Sequence, residues 1–438
     1  MAYQAEDLIK ESIKDFKADQ SRRRRLHVEK MINYYMGQNT NQYITNYFSA
    51  DTFREVPLYN INLTKKFIDK LSGVYRNAPR RKVGGIYDNS RYENLVYKKN
   101  LRLKHVERTT RLLDVIALNV SFDEVSQKID YQPIYYFDAF FDEYNPKEPV
   151  AVIYPMLQPT ADVSYSEKIR FCYFDNERKV IFDEGGNILQ EIPHSYGVLP
   201  FVFPRRIEQI DDFFGEGAID IVSVNEHINI TMTELQLGLR FQMFGQPFAT
   251  GVYEDTPIAR TGSDTIINLP EGATFGIVSP SAKIKEVIDS IKFQVEMLAM
   301  TNHLSVSFDS NQDRPSSGLA LIIKDHDRIE YYKDDIELFR DFEHNLYDLE
   351  KIVADTNGIY LPNEFSIDFD EPNYPVSSSE QIAKETWDLD KNLTTLPEIM
   401  MRYKKDVTED DARLMIQKNE EINSIGKPKK VESFGKEE

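Results

Sequence analysis

A single cysteine, Cys172, in 438 residues leaves no partner for an intrachain disulfide, so any core is held without covalent cross-links. Long apolar runs are missing too. The stretch LLDVIALNV, residues 112–120, falls far short of the ~20 residues that cross a bilayer, which excludes a membrane span of that kind. Near Met1 no basic start is followed by an apolar run and a small-residue cleavage site, and a reducing cytosol is the expected setting. Positive charge is scarce: 53 Lys and Arg against 72 Asp and Glu give −19. Such a chain repels DNA on average, because affinity for nucleic acid comes largely from cations that displace phosphate counterions.

The signatures of catalysis are equally sparse. No GxxxxGK[ST] occurs, although the Ser and Gly of SSG at 316–318 and Lys324 fall in one loop-to-helix stretch. The seven histidines form no HExxH. Asp325, His326 and Asp327 are consecutive on a helical pattern, and neighbours about 100° apart around a helix cannot converge on one ion. Asp211, Asp212 and Glu216 fall where a helix begins, a place that favours acids electrostatically. GEGA at residue 215 lacks the third glycine of a dinucleotide turn, and Cys172 sits in a strand pattern with no evident base. These residues point to no enzyme, no cofactor and no metal.

What is present is enough apolar content, 41%, for real cores, and a length that suggests roughly three domains. Apolar spacings of three and four predict helix from residue 7 to Gly37, over 62–75, and over 92–118, with Pro79 and Gly84-Gly85 breaking the chain between the last two. RRRR at 22–25 lies inside the first pattern and reads as a solvated helix face rather than a nucleic-acid or partner contact. From about Tyr131 to Phe203 the chain turns aromatic and β-branched. KIRFCYF and KVIFDE, separated by DNER and followed by EGGN, predict a small antiparallel sheet.

Two long amphipathic stretches follow. Over 217–241, Ile221, Val224, Ile228, Leu235 and Leu239 form an apolar stripe, while Asn225, Asn229, Thr233, Gln236 and Arg240 form a polar one. Further apolar residues widen the arc, and identical subunits in a ring would cover both flanks. Over 283–302, Ile284, Val287, Ile291, Val295 and Leu298 alternate with Lys285, Asp289, Lys292 and Glu296. The two rods are expected to pack antiparallel with the Pro- and Gly-rich residues 244–280 at their tip. A soft segment, DSNQDRPSS, separates the second rod from a third helical run at 318–353, striped by Ile329, Tyr332, Ile336, Phe339, Leu346, Leu349 and Val353. EFSIDFD reads as a short strand, and the end is helical again. Ser377 with Glu380, and Thr408 with Asp411, have capping-box spacing; residues 426–438 read as frayed.

The order of these elements and five phrases resemble the portal proteins of tailed bacteriophages: YYMGQN at Tyr34, NLTKKFIDKLSGVYRNAP at Asn62, HSYGVLPFVFP at His194, GAIDIVSVNEHIN at Gly217 and SSGLALIIK at Ser316. The resemblance spans most of the chain, and its specificity comes from all five occurring in the family's order. It implies an α+β, predominantly α-helical portal-type fold, assembled as a ring, usually of twelve subunits. Carried over by position, residues 1–216 are N-terminal helices and a β-rich wing, 217–241 and 283–302 the two stem helices, and 242–282 the clip. Residues 303–317 match the tunnel loop, 318–376 the long helix and a returning strand, and 377–438 a helical crown and tail.

By the same resemblance the ring conducts double-stranded DNA at one capsid vertex. It docks a terminase large subunit, neck or tail adaptor proteins, and capsid and scaffolding proteins. The expected place is the virion, after assembly in the host cytoplasm. Asn311, Gln312, Arg314, Ser316, Arg240, Lys285 and Lys292 become candidate channel residues, with Arg314 equally able to pair with Asp309 or Asp313. Ile221, Ile228, Leu235, Leu239, Ile291, Val295 and Leu298 become candidate subunit-packing residues. An acidic conduit suits sliding, since many fixed cations would trap the duplex. The alternative is a helical scaffold or adaptor that uses the same faces without a channel. An unfamiliar hydrolase is a weaker third.

Overall fold

The computed structural model describes residues 14, 19–48, 57–85, 90–142, 144–156, 170–183, 185–207, 212–244, 246–251, 271–278, 283–304, 306, 318–369, 378–404 and 407–424. The fold is α+β and comprises two compact units, Met1–Asp313 with Asp325–Glu371, and Arg314–Lys324 with Pro372–Glu438. None of the described helices is long and apolar enough to cross a membrane.

The first unit opens with α1 (Asp19–Met36), which stops where Gly37 takes φ +67°. The RRRR run on α1 is only partly the solvated face expected from sequence. Arg24 and Arg25 both reach Asp138, Ser21 donates to the same carboxylate, and the Arg24 guanidinium lies 3.8 Å over the Phe214 ring. Burial lowers the Arg24 pKa to about 10 despite Asp212 nearby. Arg22 and Arg23 remain exposed.

A short α2 (Asn41–Ile44) precedes α3 (Leu63–Leu71), which Asn62 caps by accepting the Lys65 amide at 2.9 Å. The helix expected to reach Tyr75 ends four residues earlier. Buried Glu107 captures the Val74 and Tyr75 amides at 2.8 and 3.0 Å, which a longer helix would have used itself. Beyond strand β1 (Arg80–Val83), the single helix expected over 92–118 is instead α4 (Ser90–Leu95) and α5 (Lys99–Leu113). Lys98 at φ +60° separates them, and Asp114 at φ +76° ends the second. The apolar run that follows becomes β2 (Ala117–Asp123), because both of its faces are buried. A continuous apolar run carries no period to distinguish strand from buried helix.

Two antiparallel sheets replace the one expected. In the first, β2 lies between β3 (Lys128–Ile134) and β9 (Phe201–Val202). The second has the order β4 (Asp138–Asp142), β5 (Asn145–Met156), β6 (Arg170–Phe174), β7 (Arg178–Asp183) and β8 (Ile188–Pro193). One face of this sheet, including Val152, Tyr154, Cys172 and Phe174, packs with Ala117, Ile134, Phe137, Phe201 and Phe213. The other gathers Ile153, Phe171, Tyr173, Val180 and Phe182. Two buried faces explain why these strands read as solid apolar runs. Burial also pushes the Cys172 thiol up, away from the reactive thiolate.

The chain then forms α6 (Ile219–Phe244), the hairpin β10 (Gln246–Thr250) and β11 (Thr274–Val278), α7 (Ile284–Thr301) and the long α8 (Gly318–Thr356). Strand β12 (Phe365–Asp368) returns to pair antiparallel with β1. The main core joins Met31, Phe67, Ile68, Leu103, Leu112, Ile116, Ile221, Val222, Leu346 and Val353 from these elements.

Two acids on α8 tie that core together. Glu343 and Glu350 are 0% exposed, seven residues and therefore about two turns apart on one face. Glu343 accepts from Arg81 and from the Tyr75 hydroxyl at 2.9 Å, with Lys99 at 3.2 Å. Glu350 takes Lys99 at 2.6 Å and the hydroxyls of Tyr92 and Tyr131 at 2.6 and 2.5 Å. Nearer the start of α8, Asp335 pairs with Arg111, whose guanidinium also donates to the Tyr331 hydroxyl at 2.7 Å. Each buried charge has a partner, the condition under which such groups are tolerated.

The second unit holds α9 (Ser378–Asp390), α10 (Leu396–Tyr403) and α11 (Glu409–Ser424). Thr395 and Glu398 form a full capping box on α10 that the sequence reading overlooked. At Thr408 the Asp411 amide donates to the hydroxyl, but that hydroxyl donates to the Asp411 carboxylate, so the box is only half made. The pair proposed at Ser377 lies outside the described residues, as do residues 426–438 and the start of the first helical pattern.

Burial opposes charge on Glu343, but Arg81 and Lys99 outweigh it and hold its pKa down at about 2, from an ordinary 4.5. A depressed carboxylate pKa contributes stability that is fully present above 4.5 and is lost as the pH falls towards 2. Glu343→Gln should therefore cost about 3–5 kcal/mol at pH 7, since Arg81 and Lys99 lose a buried partner. The deficit should shrink between pH 4.5 and 2. Urea unfolding at pH 7 and 3 checks both; midpoints matching the parent at pH 7 would refute the role given to this acid.

Candidate functional site

The helix pair expected from sequence is present. Helix α6 begins two residues after Gly217, whose φ is +63° and whose missing Cβ leaves room for the Leu112 carbonyl. A Cβ at Gly215 would likewise strike the Asp114 carboxylate. These glycines serve a close chain crossing, where the Ala218 amide donates to Leu112 O at 2.9 Å.

Asn302 at the end of α7 donates to Asp220 at the start of α6, 3.0 Å away. The other ends of the two helices lead into β10 and β11, so the rods run antiparallel with the hairpin at their tip. At ~1.5 Å per residue, 26 and 18 residues make rods of roughly 39 and 27 Å. In the hairpin, the Phe248 ring covers Gly276, where any Cβ would strike it, while Phe248, Ile277 and Val278 remain exposed. Residues 252–270 of the expected clip lie outside the described residues.

The polar stripe of α6 has a use that its spacing did not reveal. Asn225, Asn229 and Thr233, four residues apart and buried, grip the residues leading into α3 and its first turn. Asn229 accepts the Ile61 amide at 2.8 Å, Asn225 donates to Ile61 O at 2.8 Å and accepts the Thr64 amide at 2.8 Å, and Thr233 accepts the Tyr59 amide at 3.0 Å. This flank of α6 is therefore filled from within one chain and needs no second copy to cover it. On α6, Glu226 also pairs with Lys30 of α1 at 2.6 Å.

The candidate packing residues divide by position. Ile221, Ile228, Val295 and Leu298 belong to the main core, with Ile291 packed against it. Leu235 is buried and Leu239 half-buried. The burial of the first four is accounted for inside one chain. Of the channel candidates, Arg240, Lys285 and Lys292 are exposed on the two rods, and Lys292 lies 3.8 Å from Asp289. Asn311, Gln312, Arg314 and Ser316 lie outside the described residues, as do the side chains of Asp325, His326 and Asp327. Nothing described brings the channel candidates together.

The sequence reading missed a second apolar set on α7. Phe293 is 62% exposed and Met300 63%, with Met297 exposed between them. At about 100° per residue these three share one arc, opposite the arc of buried Val295, Leu298 and Ala299. Their spacing of four and three was visible, but the stronger buried stripe masked it.

A cavity of about 340 Å³ is lined by Asn39, Thr40, Asn41, Gln42 and Asn60, none of them titratable. Among the described residues no group of three or more His, Cys, Asp or Glu is placed to hold a metal ion.

Asn225→Leu should leave the amide of Thr64 without its partner and the carbonyl of Ile61 with only the longer bond from Asn229, 3.3 Å, and cost about 1–3 kcal/mol. Hydrogen exchange at Thr64 should speed up together with the loss of stability; unchanged exchange there would refute the grip.

No family model and no curated protein matches the chain. Among solved structures, a chain from the neck of an empty gene transfer agent (GTA) particle, computed with C6 symmetry, aligns over 80% of this chain and 91% of its own, at 8% identity and a TM-score of 0.38. A chain from the virion of a native GTA particle aligns over 82% and 96%, at 8% identity and a TM-score of 0.41. Likenesses this weak carry no argument about what the chain does.

Proposed function

We propose that this chain is a portal-type subunit, a non-enzymatic component of a ring at one capsid vertex through which double-stranded DNA enters and leaves. The observation that carries the reading is the antiparallel α6–α7 pair with a small hairpin at its tip. On the side of α7 turned away from the core it leaves Phe293, Met297 and Met300 open. A rod with one flank closed by its own chain and another left apolar suits side-by-side packing with copies of itself. The five sequence phrases, in the family's order, support the same reading.

On this reading exposed cations such as Arg240, Lys285 and Lys292 make weak contacts that guide DNA without holding it. A net charge of −19 keeps the conduit from becoming an electrostatic trap. A separate terminase supplies the motor, and the hairpin end meets terminase and neck proteins. The place of the protein is the virion.

Phe293→Glu tests it. That ring is already in water in the single chain, so the variant should fold with a stability, from urea unfolding, within about 0.5 kcal/mol of the parent. Ring particles with a central hole, counted in negative-stain images and weighed by native mass, should fall at least tenfold. A parent that stays monomeric under assembly conditions would instead favour a helical adaptor without a channel.

A further inference from the structure

The chain is acidic at −19, yet one helix face in its first unit is basic throughout. Helix α5 carries five Lys and Arg against a single acid, Glu107, which is buried. Lys99 and Arg111 turn inwards to Glu350 and Asp335. At about 100° per residue the others, Arg102, Lys104 and Arg108, share one outward arc with Leu101 and His105, and no carboxylate lies on it. Lys98, just before the helix, and Lys128, at the start of β3, extend this face. Their ammonium groups lie 4.9 and 4.3 Å from the centre of the Tyr97 ring.

Only part of this charge is answered. Arg102 lies 3.2 Å from Asp130 and Arg108 3.2 Å from Asp69, but among the described residues no carboxylate pairs with Lys98, Lys104 or Lys128. Lys104 and Arg108 are like charges four residues apart, a destabilising arrangement on a helix. The first turn of α5 holds no acid, although the helix dipole favours one there. Burial, then the charges of Arg108 and Arg102, push the His105 pKa below its ordinary value.

Charge complementarity calls for an anionic partner, and the apolar side chains within the patch select its kind. Tyr97 is 55% exposed and Leu101 65%. A phosphate backbone gives an aliphatic side chain nothing to pack on, and duplex DNA, with one charge per ~1.7 Å, is opposed by a chain at −19. A peptide that sets apolar side chains among its carboxylates satisfies both features, with Tyr97 and Leu101 as its anchors. The patch runs roughly 15 Å along α5, the length of about five extended residues.

We infer that the outer face of α5, with Tyr97 and Lys128, docks an acidic segment of another protein that carries apolar side chains among its carboxylates. This site needs one copy of the chain only and stands apart from the proposed ring. Fluorescence anisotropy on the full-length protein tests it with a labelled peptide of alternating Glu and Leu, the same peptide with Gln for Glu, and a short labelled DNA duplex. The Glu peptide should bind at least tenfold more tightly than either, and less tightly as salt rises from about 50 to about 200 mM. The double variant Lys98→Glu with Lys104→Glu should bind it at least tenfold less tightly. That variant should unfold in urea no earlier than the parent, because one new acid sits at the helix N-terminus and the other four residues before Arg108. Leu101→Ser, at an exposed position, should weaken the Glu peptide at least threefold and leave its salt dependence unchanged.

No binding by the parent, equal affinity for the Gln peptide, or a charge-reversed variant that binds like the parent would overturn the inference. Tighter binding of the duplex would overturn it in favour of nucleic acid. Ring particles are counted without any peptide present, so the two readings fail separately.

Discussion

Two carboxylates with no access to water, Glu343 and Glu350, are the groups around which the first unit is organised. Each needs cations and hydroxyls delivered to it, and the chain supplies these from widely separated places: Tyr75, Arg81, Tyr92, Lys99 and Tyr131. A hydrophobic contact accepts many neighbours, whereas a buried charge accepts few, so this pair sets the register of α8 against α4, α5 and β3. The same logic recurs at Arg111 with Asp335 and at Glu107 with the amides that end α3.

That anchoring has consequences for the α6–α7 pair. Its base is held by Asn302 with Asp220, by Lys30 with Glu226 and by the extended segment gripped through Asn225, Asn229 and Thr233. Its outer parts have fewer contacts, and the hairpin exposes Phe248, Ile277 and Val278. The rod is thus fixed at one end and apolar along one open side.

Much of this was legible in the sequence wherever a period was clean. The 3.6-residue stripes located α6, α7 and α8 to within a few residues, and the KIRFCYF and KVIFDE runs marked β6 and β7. The reading failed where a side chain far along the chain competes for backbone groups. Glu107 shortened α3, and Ala117 and Leu118, the end of the expected helix, became the start of the doubly buried β2. The apolar heptad on α8 was seen, but the acids lying among it, Asp335, Glu343 and Glu350, were passed over, because a charge on an apolar face looks like noise until its partner is known.

By itself, then, the sequence determined which segments are helical rods, which are strands, and that the chain has the apolar content for a core but no recognisable catalytic or metal-binding motif, since these depend on local period and residue type. Only the tertiary structure decided which faces stay open. Asn225, Asn229 and Thr233 of the polar stripe on α6 are closed by residues 59–64, while Phe293, Met297, Met300 and Trp387 stand in water. The physical reason is that exposure is a property of the neighbours a residue meets, and those neighbours are brought together from more than a hundred residues away.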